Sequence, residues 1–524
     1  MSTPSVSAAR TARLVGRLAP GRPAYRSLAD ALRLAVADGR IAAGTRLPSE
    51  RELTGALEVS RTTVTRAYAV LRESGYLTSR RGSGSLAALP SGSRQRGAGS
   101  LFPADVADGV IDLTCAATRA PAGVVEAYER AVGQLPGYLA GAGYLTVGVP
   151  ELREVIADRY TERGLRTTPD EVLVTSGAVA GIGVVLGALL RHGDRVVVEN
   201  PTYPNTVDAL RRGGARLVPL AMDPDGWDVP DAARTVRAAG AGAAVLIPDF
   251  HNPTGALMPD EDRAALSRAL RAAGTVPVVD ETIAEVCLDL DGPLPLPFGA
   301  HDPRTVSVGS SSKSHWGGLR TGWVRAPRSV IPALVESRVT TDLGAPVLEQ
   351  LVLLELMRAS PGLTEERRGD LLSSRAALVS ALGSRLPEVR FGLPRGGLSL
   401  WCELPEGMDA TAVALAAEDA GLLVAAGPRF AVLGGLERWV RLPYVLPPET
   451  MVEAVERLAV AVDEVRGSGR TTRGRSAAGQ SGQGQAGSQR GQGGQRSRGG
   501  RKPQSGRGTG RRDADRRSAR PLVA

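Results

Sequence analysis

The sequence predicts an α/β protein in which a mainly parallel sheet, covered on both faces by helices, follows a small helical module. Three observations carry this prediction. Short apolar runs alternate with helical patterns across residues 172–310, a basic stretch with three helical repeats precedes them, and the end of the chain dissolves into a Gly, Gln, Arg and Ser repeat.

At 524 residues the chain is long enough for two or three domains, and 42% hydrophobic residues suit a water-exposed globular class. The longest uncharged run, residues 175–190, is too short and too glycine-rich to span a bilayer, so no membrane partner is expected. The N-terminus has arginines but no apolar signal-peptide core, and Cys115, Cys287 and Cys402 lack metal-ligand spacing. A cytoplasmic protein with reduced thiols and no metal is the expectation. The net charge of +9 divides unevenly: residues 467–524 hold 14 Arg or Lys against 2 Asp. This segment has almost no aliphatic content and is expected to be a disordered basic tail, either passively solvated or an accessory grip on nucleic acid phosphates.

Residues 22–89 form a second basic island, with 11 Arg against 6 Asp or Glu. Tyr25, Leu28, Ala29, Leu32 and Val36 recur at helical spacing, with Gly39 as a stop. In "PSERELTGAL", Ser49 and Glu52 write a capping box ahead of Leu53 and Leu57. A third helix starts at a Ser60 cap, runs Val64, Ala67, Tyr68 and Leu71 along one face, and ends at Gly75. Two short helices with Arg61, Thr62, Thr63 and Thr65 at the start of the second have the geometry of a helix-turn-helix. "GYLTSRRGSGSL" follows as strand, turn and strand, a wing with Arg80 and Arg81 beside it. Donors and small hydroxyls at a helix start suit a major groove, so double-stranded DNA is the expected partner.

The stretch "ADGRIAAGTRLPSERELTGALEVSRTTVTRAYAVLRESGYLTSRRGSGS" resembles the winged-helix domain of the GntR family. That resemblance implies DNA contacts from Arg51, Ser60, Arg61, Thr62, Thr63 and Gly84, with Thr65 nearby, and binding as a homodimer to paired half-sites.

Residues 90–110 read as a Pro, Gly and Ser linker, and residues 111–466 as the large domain. Its runs "EVLVTSGA", "DRVVVENPTY", "ARLVPL", "AAVLIPD", "TVPVVDE" and "RTVSVGS" are written as buried strands, and sites in such sheets lie beyond the strands' carboxyl ends. There the polar residues gather. Ser176, Gly177 and Ala178 offer amides at a helix start, a phosphate cradle. Asn252 follows the fourth run, Asp280 closes the fifth, and Lys313 follows the sixth, with Arg320 seven residues on.

Lysine is rare here: only Lys313 and Lys502 occur, so 62 of the 64 basic residues are arginine. Arginine serves salt bridges and solubility at least as well, but it cannot attack a carbonyl as an amine can. On the lysine alone, a residue simply retained explains the position equally well. Its neighbours decide for chemistry, because phosphate donors, an amide, a carboxylate and an amine in this order are what pyridoxal 5'-phosphate needs.

The elements "NPTG", "SSSK" and "GLRTG" in register resemble the fold-type I, class I aminotransferases from about Ile111 to Arg466. The resemblance implies that Lys313 is the lysine bearing the cofactor, Asp280 the partner of the pyridine nitrogen, and Asn252 the donor to the ring oxygen. It further implies that Tyr203 stacks on the ring, that Ser310, Ser312 and Arg320 hold phosphate, and that Tyr144 reaches the neighbouring subunit's phosphate. Arg441 would clamp a carboxylate with its bidentate fork. One departure stands out. Many relatives carry a tyrosine two or three residues past the aspartate, where this chain has Thr282 and Ile283.

A GntR-type winged helix joined to an aminotransferase-like domain resembles the MocR subfamily of bacterial transcription regulators. The expected function is a pyridoxal phosphate-dependent regulator whose DNA binding responds to an amine or amino-acid effector, or to the cofactor. The alternative is a working aminotransferase that also binds DNA, which sustained turnover would reveal.

Overall fold

The computed structural model describes residues 5–16, 18, 23–37, 41, 44–80, 84–88, 109–223, 226–360 and 362–477. The expected Gly39 stop, Arg81, nearly all of the linker and the tail beyond Ala477 lie outside the described residues.

The N-terminal module contains α1 (Ala8–Val15), α2 (Ala24–Ala37), α3 (Glu50–Leu57) and α4 (Arg61–Glu73), then the hairpin β1 (Leu77–Arg80) and β2 (Gly84–Ala87). The capping box at Ser49 forms as written, with the Glu52 carboxylate accepting from the Ser49 N–H at 2.8 Å. Leu28, Leu32, Leu53, Val64, Ala67 and Leu71 are buried together. At about 1.5–3 kcal/mol for each fully buried large aliphatic, this small core is the module's main stabilisation. Helix α1 departs from expectation, because the module reaches back past residue 22. Ser7 caps α1, Val15 joins the core, and the Val6 N–H donates to the Arg46 carbonyl. Eight residues give too few turns for a periodicity to register.

In the large domain, β3 (Ile111–Leu113) is set aside for a second sheet. A seven-stranded sheet then forms from β4 (Val172–Thr175), β5 (Arg195–Asn200), β6 (Arg216–Ala221), β7 (Ala243–Leu246), β8 (Val276–Asp280), β9 (Val306–Ser310) and β10 (Gly322–Arg325). Its order is β4-β10-β9-β8-β7-β5-β6, and only β10 runs antiparallel to its neighbours. Valines dominate the central strands and are buried on both faces, as a sheet covered by helices requires. The carboxyl ends of β5, β7, β8 and β9 therefore open on one side, where Tyr203, Asn252, Asp280 and Lys313 follow.

The second sheet contains β11 (Arg390–Phe391), β12 (Ser399–Glu403), β13 (Leu422–Ala426) and β14 (Trp439–Pro443), with β3 added parallel to β13. The final helix, Pro448–Ala477, buries Met451, Ala454, Val455, Leu458 and Val462 against this sheet. It runs past residue 466, where the tail was expected to begin: a helix anchored by such a stripe extends cheaply, one hydrogen bond per added residue. Among the described residues, no helix is long and apolar enough to cross a membrane.

Candidate functional site

A cavity of about 840 Å³ lies between the two sheets of the large domain. Lys313, Asp280, Asn252, Tyr203, Ser310, Ser312, Arg320, Ala178 and Arg441 all contribute to its wall, so the structure brings these expected residues together.

Lys313 sits in a π-helical turn, Ser312–Trp316, just past β9, and its Nζ donates to the Ala116 carbonyl at 2.6 Å. Burial in the enclosed wall pulls its ammonium below the usual lysine range; Arg441 and Arg320 add to this, while Cys115 and Asp280 oppose it. An amine so placed loses its proton more readily, which nucleophilic chemistry requires. Asp280 ends β8 with its carboxyl raised above the usual range by burial, against hydrogen bonding from Thr282 and the charge of Lys313. The Thr282 N–H donates to its Oδ1 at 2.9 Å, holding the carboxylate at the strand end.

Arg441, on β14 opposite Trp401, is fully buried. Nη1 donates to Asn252 Oδ1 at 3.1 Å and Nη2 to the Thr114 carbonyl at 2.6 Å, while Nε has no hydrogen-bond partner among the described residues. The guanidinium lies 5.0 Å from the centre of the Phe430 ring, and burial draws it down to about 10. Tyr203 accepts at its hydroxyl from Asn205 and is pushed up to about 12, chiefly by burial.

The cradle is shaped by Gly177, with φ +92 at the cap of helix Ala178–Leu189, where no side chain fills the helix end. A Cβ there would meet Arg320 Nη2 at 2.8 Å, a tip that can move aside, so it is the positive φ that favours glycine here. Ser310 Oγ donates to Ser312 Oγ at 3.1 Å, placing both hydroxyls together. Ser176 and Gly177 stand behind the wall, with the Ser176 hydroxyl donating to Asp342 at 3.0 Å. Tyr144 is 69% exposed and apart from this chain's cavity.

Cys115, Ala116 and Thr282 also line the cavity. Thr282 arrives just past the end of β8, whereas Cys115 and Ala116 depend on β3 lying beside β13, and no local pattern carries that pairing.

In the N-terminal module, Arg51, Arg61 and Thr62 are exposed at the starts of α3 and α4. Ser60 is used as a cap, its Oγ accepting from the Thr63 N–H at 3.1 Å. Thr65 is engaged as well: its hydroxyl donates to Glu50 Oε2 at 2.6 Å, tying α4 to α3. Gly84 starts β2 with φ +77.

The fold and site define a pyridoxal phosphate-binding fold joined to a helix-turn-helix module. The family of aminotransferases class I and II matches residues 140–458, and the bacterial regulatory proteins of the gntR family match residues 24–86. The chain belongs to the class I and II aminotransferase family and, with its GntR domain, has the MocR-type architecture. It is 25% identical over 470 residues to the HTH-type transcriptional regulator YdfD of Bacillus subtilis, covering 84% of this chain and 97% of that one. Identity to the probable rhizopine catabolism regulatory protein MocR of Rhizobium meliloti is 32% over 235 residues, covering 40% of this chain and 48% of the relative. The crystal structure of LysN, an α-aminoadipate aminotransferase from Thermus thermophilus, superimposes with a TM-score of 0.61 at 27% identity, covering 69% of this chain and 94% of that one.

Class I and II membership implies dependence on pyridoxal 5'-phosphate, and the residues present fit it. An amine, a carboxyl, the Ser310 and Ser312 hydroxyls and the Arg320 guanidinium face one cavity, and the buried Arg441 guanidinium there keeps an Nε with no hydrogen-bond partner among the described residues.

Proposed function

We propose that this chain is a DNA-binding transcription regulator whose large domain holds pyridoxal 5'-phosphate on Lys313 and senses an amine or amino acid there. The observation that carries this reading is one cavity containing Lys313, Asp280, Asn252 and Arg441, in a chain that also presents Arg61 and Thr62 at an exposed helix start.

Bound pyridoxal phosphate supplies a reactive aldehyde carbon and an electron-accepting ring. Lys313 would hold it covalently through its amine, whose basicity burial lowers. Asp280 accepts from the ring nitrogen, and a cation there restores the ionised carboxylate that burial disfavours. Asn252 meets the ring oxygen and Tyr203 covers the ring face. Ala178, Ser310, Ser312 and Arg320 take the phosphate, with the backbone of Ser176 and Gly177 shaping the cradle. Arg441 orients an effector carboxylate with its fork. In the N-terminal module, Arg51, Arg61 and Thr62 meet DNA, Ser60 and Thr63 set the helix start, and Thr65 holds α4 on α3. The working species is a homodimer, with Tyr144 directed toward the neighbouring subunit's site. An N-terminal module extended back to include α1 and a large domain extended forward through the final helix frame these two functions, with the 90–110 linker between them.

Turnover is the competing reading, and the completeness of the lysine, aspartate, asparagine and arginine set favours it. Against it, the position two past Asp280 is a threonine whose amide serves the aspartate, so no tyrosine at that point tunes the ring oxygen. The test measures operator affinity and visible absorption together while amines are added. A sensor changes both with little product; multiple turnovers with unchanged operator affinity assign the chain to the enzymes.

A further inference from the structure

Arg367 carries an arrangement that neither DNA contact nor cofactor binding uses. It is the third residue of helix Glu365–Arg385 and only 8% exposed. Nη1 donates to the carbonyls of Ser314 and His315 at 2.6 and 2.8 Å, within the turn that bears Lys313. Nη2 donates to the Thr118 hydroxyl and to the Arg119 carbonyl, on the segment that follows β3. None of its hydrogen bonds among the described residues goes to a carboxylate. Burying a guanidinium with neutral hydrogen-bond acceptors is costly, the charge of Asp370 offsetting this only in part, and a planar five-donor fork is the group that can bridge two backbones at once.

The second segment matters because of what else grips it. Thr114 gives its carbonyl to Arg441 and Ala116 gives its carbonyl to Lys313, both at 2.6 Å. Three cations from the cavity and its surroundings thus hold residues 114–119 through carbonyl oxygens and one hydroxyl. These residues continue directly from β3, which pairs with β13. At the far end of β3, Arg457 holds the Gly109 carbonyl at 2.7 Å. The chain then leads back through residues 90–108 toward the N-terminal module.

We propose that Arg367 is a positioning residue that locks the lysine turn to residues 114–119, so that occupancy of the cavity is passed to β3 and on toward the DNA-binding module. This rests on the sensing reading above. Engaging the amine of Lys313 withdraws a donor from Ala116, and a carboxylate on Arg441 competes with Thr114. Arg367 makes the two segments answer as one body instead of relaxing separately. A change at the site then reaches the DNA-binding module only if both of its states differ in their hold on this segment.

The test uses the full-length chain with and without added pyridoxal 5'-phosphate, following hydrogen exchange of backbone amides by peptide. In the parent, exchange slows or quickens by about fivefold or more both at 310–316 and at 110–119. In Arg367→Gln, visible absorption of the bound cofactor and the response at 310–316 remain, while the response at 110–119 falls within about twofold of none. Arg367→Lys restores part of it. If Arg367→Gln fails to fold, Thr118→Val serves, because it removes only the hydroxyl on the far side of the clamp and is expected to halve the response at 110–119 or better. A response at 110–119 that is absent in the parent, or unchanged in the variants, overturns the proposal. Coupled exchange in the parent with operator affinity indifferent to the cofactor leaves the clamp standing and removes the sensing reading instead.

Discussion

Replacing Arg441 by methionine separates a ligand clamp from a structural strap. Burial draws the guanidinium from its ordinary value to about 10. The unfolded chain therefore holds that proton more tightly than the folded one. At about 1.4 kcal/mol per tenfold, the folded protein carries a cost of about 3 kcal/mol, fully present below pH 10 and relieved only as pH rises above it. Methionine removes this cost and keeps most of the volume. Against it, Asn252 Oδ1 and the Thr114 carbonyl lose their donor, at about 1–3 kcal/mol each if they stay dry and less where cavity water reaches them. The net runs from about 1 kcal/mol of gain to about 3 kcal/mol of loss, so Arg441→Met is expected to lose no more than about 3 kcal/mol in urea denaturation at pH 7. Its response to amines bearing a carboxylate should vanish, while amines without one still change the visible spectrum. A loss of about 5 kcal/mol or more, beyond what two orphaned neutral acceptors cost, would refute the balance and make Arg441 a strap.

Lys313→Arg keeps the charge but not the reactive amine; borohydride reduction of the purified variant is expected to trap no cofactor, and trapped cofactor would sink the assignment. Arg61→Ala should cost about 1–3 kcal/mol in operator affinity if it reads a base edge, measured by titration at fixed salt. Thr65→Val should leave base preference unchanged, because its hydroxyl is already given to Glu50; a shift in preferred operator sequence would return Thr65 to the reading surface. Deleting residues 478–524 tests the basic tail: a shallower dependence of affinity on salt makes it a phosphate contact, an unchanged slope a passive extension.

Much of this was legible because it is local or because strand ends are punctuated. The Ser49 and Glu52 box, the Ser60 cap and the Val64 to Leu71 stripe specify their helices within a few residues, and the structure has them in place. Asn252, Asp280 and Lys313 share a cavity because each follows a parallel strand, a consequence of topology that the alternating runs already implied. What stayed hidden depends on distance along the chain. Arg367 finds Thr118 only once two remote segments pack, and no spacing announces that. Thr65 sits among plausible DNA contacts in sequence, yet its partner Glu50 lies one helix away. The strands β10 to β14 went unread for a related reason: β10 is antiparallel in a parallel sheet, and β12 to β14 are short runs whose partners are each other.

The pairing of β3 with β13 also sets an order of assembly. Leu113 meets Val424 across most of the large domain, so the small sheet cannot close until nearly all of that domain has left the ribosome. The N-terminal module draws its core from residues 6–87, and α2 also touches helix Ala410–Asp419 of the large domain. Domains fold as units during synthesis, the first one first. Each new molecule therefore passes through an interval in which its N-terminal helices are formed while Arg441, on β14, has not yet entered the cavity. In that interval the large domain can hold no effector, and the length of the interval is set by translation speed.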